Sequence, residues 1–353
     1  LEKGLFLGAA ERADIIVDFS KFAGKTLILY NDSPAPVPAG DPRIDYYTGN
    51  PDFSSSGGAA TTQPGLGPNT RTIMLVKVNN TAPAAAYDVA ALTAAFPTAY
   101  TGTQDKPIVP ESAYNAAFGQ TWNNTYAKIF TGAIYLNGYQ GLTFVTPENI
   151  TYTKAPVCTT PATCLAALPA NRNQTATAGS TVTAYLESKA IQELFDPHGR
   201  MNATQGTELL FTSANTQTTI PLGYIDPATE IIADGETQFW KITHNGVDTH
   251  PVHFHLVNVQ VLNRVGWDGT IKPPDPNEVG WKETVRMNPL EDVIVAIRAK
   301  APPLPFGVPN SVRPLDPSQA STGTMGFNQI DPLTGNPAVV TNVTANFAWE
   351  YVW

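Results

Sequence analysis

Hydrophobic and polar positions along the chain alternate in short runs bounded by turn residues, and the two-residue period is that of half-buried strands. It predicts strands at 24–30, 72–78, 208–212, 218–222, 237–243, 293–298 and 345–352, with 10–19 leading into another. A long strand is also expected from His250 to Leu262, where Val257, Val259 and Val261 alternate with Asn258 and Gln260. Residues 34–70 read as a long Pro, Gly and Ser loop. Helices are expected only at 85–95 and 111–120, inside an Ala-, Thr- and Asn-rich stretch over 79–180. A structureless loop of that length is uncommon within a compact domain, so the stretch is read as a connection between domains. Short strands separated by turns point to an all-β sandwich.

Composition strengthens this reading. Charged residues make up 14% of the 353 positions, against about 25% in an average soluble protein, and there are 31 prolines and 27 glycines. A net charge of -9 argues against nucleic acid as a partner, because phosphate binding needs a basic footprint. No apolar run reaches the roughly 18 residues that suggest a membrane span. The two cysteines, Cys158 and Cys164, lie six apart in a Pro/Thr-rich segment. Their spacing suits no zinc site. A small loop disulfide is preferred over two free thiols and would fit an oxidising, extracellular or periplasmic setting. Asn-x-Ser/Thr sequons, among them Asn31, Asn149 and Asn202, permit glycosylation without demonstrating it.

The chemistry is concentrated in one place. Of five histidines, four fall within twelve positions: His244, His250, His253 and His255. Successive strand side chains point to opposite faces, so His253 and His255 would share a face. Pro251 belongs at a strand start or edge, which would aim His250 differently. Neutral imidazole is a common ligand for copper, zinc, iron and nickel, so one element could serve two metal centres. A ligand histidine usually passes its other N–H to a carboxylate or carbonyl. Asp248 is the nearest candidate for that role and equally suits an Asx turn. His198, in the turn Asp196-Pro-His-Gly-Arg200, reads as a surface residue, and His244 as a packing or supporting one.

The run His250-Pro-Val-His253-Phe-His255 resembles the H-P-x-H-x-H motif of the third cupredoxin domain of the multicopper oxidases. The stretches 191–201, 280–285, 288–292 and 349–353 resemble a large bacterial branch that includes manganese or iron oxidases. The resemblance implies cupredoxin-like Greek-key β-sandwich domains and copper as the cofactor. It implies that His250 binds a type 1 copper, His253 the type 2 copper and His255 one of the type 3 pair. It also divides the chain into the end of a second cupredoxin domain (1–78), a connection and the start of the third domain near Gly132 (79–180), and the third domain (181–353).

In the family a strand like 350–353 runs on into His-Cys-His, and an earlier cupredoxin domain supplies more histidines. Both are therefore expected as further parts of the oxidase. Glu350 is then either an acid that delivers protons during O2 reduction or an exposed strand residue. The resemblance implies a secreted oxidase that takes electrons from Mn(II), Fe(II) or a small aromatic reductant and reduces O2 to water. The competing reading is a catalytically incomplete cupredoxin module with an assembly or copper-binding role. Self-association is left open.

Overall fold

The computed structural model describes residues 4–33, 41–67, 69–99, 101–108, 128–129, 141–208, 219–223, 229–230, 232–268, 271–302, 313–314, 320, 324–330, 337–341, 344–345 and 353. Two compact units are present: Leu1–Arg12 with Asp105–Trp353, and Ala13–Gln104.

In the smaller unit, β1 (Thr26–Tyr30) pairs antiparallel with β2 (Thr72–Lys77). The expected strand over 10–19 does not form, and Ile15, Ile16 and Val17 are exposed. The helix expected at 85–95 is α1 (Val89–Ala99). The Asp88 carboxylate accepts from Ala91 N at 2.9 Å, and that N-terminal cap sets the start later than periodicity suggested.

The larger unit is built on one sheet. Its strands are β3 (Lys128–Ile129), β4 (Gly141–Val145), β5 (Ile150–Tyr152), β6 (Gln174–Ala176), β7 (Thr181–Phe195), β8 (Met201–Glu208), β9 (Thr219–Pro221) and β10 (Glu236–Asn245). After β11 (His250–His253) come β12 (Val259–Gly266), β13 (Ile271–Lys272), β14 (Trp281–Lys282), β15 (Thr284–Met287) and β16 (Glu291–Arg298). The main path runs β13-β12-β16-β10-β7-β4-β3. At its centre, β10 is parallel to β7 and antiparallel to β16.

Every residue of β10 is buried, as expected for a central strand covered on both faces. The period of two then sorts its side chains. Phe239 joins Leu142, Phe144, Leu186, Ile294 and Ala296 on one face, while Trp240 and Ile242 join Ile191, Val293, Val295 and Ile297 on the other. Over this second face lies a ribbon of β11 and β15, contributing Val252, Phe254, Val257, Val285 and Met287. Two layers closing on a shared apolar interior make the chain all-β and cupredoxin-like.

Two expectations are corrected. The strand expected from His250 to Leu262 is two strands, β11 and β12, separated by a turn. Leu256 adopts φ 65° there and Val257 N donates to His255 O at 2.8 Å, which breaks the ladder. The cysteine segment is not all loop. Cys164 lies in α2 (Pro161–Asn171), opened by a capping box between Thr160 and Thr163, and it is disulfide-bonded to Cys158 with Cα atoms 5.1 Å apart. The predicted helix at 111–120, the domain start near Gly132, and most of the strands at 208–212 and 345–352 fall outside the described residues. No helix among the described residues is long and apolar enough to cross a membrane.

Candidate metal centre

The histidine segment sits where the ribbon meets the central sheet. Across the ribbon His250 is opposite Met287 and His253 is opposite Thr284. Phe254 turns inward, almost fully buried, with its ring 5.9 Å from that of Trp240. Its backbone N–H donates to Glu283 O at 2.8 Å. That anchor leaves the flanking imidazoles facing away from the core. His253 and His255 have ring centroids 5.1 Å apart in an edge arrangement. They line an open cleft with Leu256, Val257, Asn258 and Glu283.

Hydrogen bonding assigns the proton on His253. Thr284 Oγ1 donates its single proton to Ala10 O at 3.0 Å, so in the 2.8 Å contact between His253 Nδ1 and Thr284 Oγ1 the imidazole is the donor. Nε2 then carries the lone pair. Partial burial, then the neighbouring His255 and Arg12, lowers the His253 pKa below its ordinary value and favours the neutral ligand form. Thr284→Val should therefore mix the tautomers and cost about 1 kcal/mol of stability. The check is the ¹⁵N spectrum of the His253 ring; a ring that stays purely Nδ1-protonated in the variant would contradict the assignment.

His250 is held the opposite way. Its Nε2 lies 2.7 Å from Glu193 Oε1. Glu193 also accepts from Asp248 N at 2.8 Å and Val247 N at 2.9 Å. Burial opposes ionisation of this carboxyl, but the two backbone N–H groups and His250 outweigh it and hold its pKa below the ordinary value. An ionised Glu193 only accepts, so Nε2 of His250 bears the hydrogen and Nδ1 the lone pair. Gly246 makes this approach possible, because a Cβ there would lie 2.5 Å from the Glu193 carboxylate.

The expected partner of His250 was Asp248. The carboxylate that meets the ring is Glu193, and Asp248 contributes its backbone N–H to the same acid. Glu350 lies outside the described residues.

Glu193 escaped the sequence reading because its role depends on the pairing of β7 with β10. In that register Ile191 is opposite His244. Glu193 follows two positions later on the same face, which carries Ile191, Ile242 and His244. The signal in the sequence is an acid at the end of the alternating run 181–193. His244 is fully buried, with Nε2 3.7 Å from Glu193 Oε1 and its ring centroid 5.5 Å from that of His250. Burial lowers its pKa, against smaller raising effects of the Asn288 backbone and of Glu193 and Glu291.

The donor set fits copper in kind. His250 and His253 are each held by a hydrogen bond at one nitrogen, with no hydrogen bond at the other among the described residues, the orienting arrangement that metal-ligating imidazoles use.

Residues 193–304 match the family model described as multicopper oxidase. A laccase of Haloferax volcanii is 46% identical over 63 residues, covering 18% of this chain and 10% of that one. A laccase of Bacillus subtilis is 36% identical over 84 residues, covering 20% and 16% respectively. This chain thus spans less than a fifth of the length of either relative. Among solved structures, a multi-copper oxidase from Pediococcus acidilactici aligns over 32% of this chain and 20% of its own, at 22% identity and a TM-score of 0.23. The matched family segment begins at Glu193 and contains His244, His250, His253 and His255, so the part of the chain that carries the histidines is similar to the multicopper oxidases.

Proposed function

We propose that this chain is part of a secreted oxidase that takes electrons from Mn(II), Fe(II) or a small aromatic reductant at a type 1 copper and delivers them to O2 at a trinuclear copper cluster. The observation that carries this reading is the opposed protonation of two neighbouring ligands. Glu193 fixes the proton of His250 on Nε2, and Thr284 fixes that of His253 on Nδ1. Two imidazoles three residues apart that present different nitrogens suit two centres better than one.

Copper, when bound, supplies one-electron redox chemistry. His250 would hold the type 1 ion through Nδ1, His253 the type 2 ion through Nε2, and His255 one ion of the type 3 pair. Asp248 steadies the His250 loop through its N–H to Glu193. Glu350 would be the acid that passes protons toward oxygen. The disulfide supports an extracellular or periplasmic setting. Family resemblance supports a metal ion or a small aromatic as the reducing substrate, and the choice between them belongs to assay.

A second reading holds for these 353 residues by themselves. Their two cysteines are bonded to each other, and without a thiolate there is no blue copper. The chain alone is then a cupredoxin module with a structural or copper-binding role. The test uses copper-loaded protein, as the 353-residue chain and as the same chain extended by a His-Cys-His segment. Only the longer one should be blue and consume O2. Within it His250→Ala should abolish the blue absorption, and His253→Ala should leave the colour while removing the type 2 electron-spin signal. A blue His250→Ala variant would overturn the ligand assignment.

A further inference from the structure

His244 is a buried imidazole with no structural employment. It is fully buried at the end of β10; among the described residues neither ring nitrogen meets full hydrogen-bonding geometry, and the Asn288 backbone is the one group near enough to act on it as a weak bond. An unsatisfied buried polar group costs about 1–3 kcal/mol, so a histidine in that position calls for a reason. Glu193 and His250 are the side chains with metal-binding atoms beside it. The ligand-type atoms of all three residues lie within 4.8 Å of one another.

We propose that Glu193, His244 and His250 form a site for one divalent transition-metal ion of the zinc class. The reasoning is geometric. Ligand atoms on a tetrahedral ion with bonds of about 2.0–2.1 Å are about 3.3 Å apart. The Glu193 Oε1 distances are 2.7 Å to His250 Nε2 and 3.7 Å to His244 Nε2, on either side of that value. The longer contact is too long for a hydrogen bond but needs only a small inward movement to share an ion. Two imidazoles with one carboxylate select zinc, cobalt or copper over magnesium or calcium, which prefer all-oxygen sets. The protein side of the site is rigid, because β7 and β10 carry Glu193 and His244 in adjacent, paired strands. The opening is at His250, whose side chain is 22% exposed.

The balance is simple. An entering ion takes one lone pair from Glu193 and one from His244, while the His250 proton moves through solvent from Nε2 to Nδ1, so that the neutral ring offers its Nε2 lone pair. The number of protons is unchanged and no electron moves. The inference goes beyond the copper reading, since it gives ligand roles to Glu193 and His244 and uses Nε2 of His250 where that reading uses Nδ1.

The experiment titrates the 353-residue chain with zinc alone. Equilibrium dialysis measures stoichiometry, and ¹H–¹⁵N spectra of the imidazoles report which rings respond. The expected result is an ion whose binding removes the His250 Nε2–H signal and shifts both ring nitrogens of His244. His244→Phe, which keeps the space filled, should weaken that ion by more than the 10–100-fold typical of losing an outer partner, while the double variant His253→Ala/His255→Ala retains it. Absence of zinc uptake, uptake undiminished in His244→Phe, or zinc-dependent shifts confined to His253 and His255 would each overturn the site. Because the wild-type spectra identify the responding rings directly, the conclusion does not depend on how the variants fold. Failure here leaves the blue-copper role of His250 standing. Loss of the blue-copper role likewise leaves the zinc site standing.

Discussion

Glu278→Ala is expected to lower the unfolding free energy by about 3–5 kcal/mol, because it strips the partner from a buried cation. Glu278 is fully buried and Arg264 nearly so. The two meet in a forked pair, with Nη1 to Oε2 at 2.5 Å and Nη2 to Oε1 at 2.6 Å. Arg264 also donates to Arg286 O at 3.1 Å, and Arg286 reaches Glu278 at 3.3 Å and Asp275 at 3.0 Å. Since Arg286 lies opposite Pro251 in the ribbon, the network fastens the histidine-bearing ribbon to β12 of the main sheet.

Burial by itself would raise the Glu278 pKa, but Arg264, with Arg286 behind it, holds it below its ordinary 4.5. A depressed carboxylate contributes stability that is present above the unfolded-state pKa and lost as pH falls through the folded one. Wild type should therefore lose this contribution below about pH 4.5, and Glu278→Ala should lack that segment of acid dependence. Chemical denaturation at neutral and acid pH checks both parts. Equal pH slopes for the two proteins would contradict the assignment. The double variant Arg264→Met/Glu278→Leu should recover part of the loss, because neither charge of the forked pair is then left buried without the other, although Glu291 and Arg286 each lose one contact.

Trp240→Ala is expected to cost about 3–5 kcal/mol, the range for deleting a large aromatic from a core. Trp240 is fully buried on the ribbon-facing side of β10. Its ring lies 5.9 Å from Phe254 and 5.4 Å from Trp353, and the Lys189 ammonium sits 4.5 Å above it. Phe254 is the inward anchor between His253 and His255, so the variant should also loosen the pair of imidazoles. Trp240→Phe should restore most of the stability, as it refills much of the volume. The measurements are denaturant midpoints together with amide exchange at Phe254 and His255. A destabilised Trp240→Ala variant whose exchange there is unchanged would separate the core from the site.

Lys189 illustrates why such a cation persists in this core. It is buried, ion-paired with Glu230, and stacked over Trp240 and Trp353. A buried ammonium is tolerated when a carboxylate and an aromatic face replace its water.

Much of this architecture is legible in the amino-acid order because the relevant signals are local. Alternation marks β10 and β16, where side chains two apart share a face whatever lies above them. The spacing of His253 and His255 works the same way, and the rings do stand together, although the continuous strand expected there is interrupted at Leu256. The disulfide preferred over two free thiols for the closely spaced cysteines is likewise present. What tertiary structure alone decided is the partner of each ligand. Asp248 is two residues from His250 in sequence, yet the acid on its ring is Glu193, 57 positions away. Thr284, 31 positions from His253, fixes the proton on that ring. The parallel register of β7 on β10 and the β11–β15 pairing bring these groups together. Pairing between distant strands is settled by burial of both faces of the sheet at once, a cooperative outcome that no local window of residues contains.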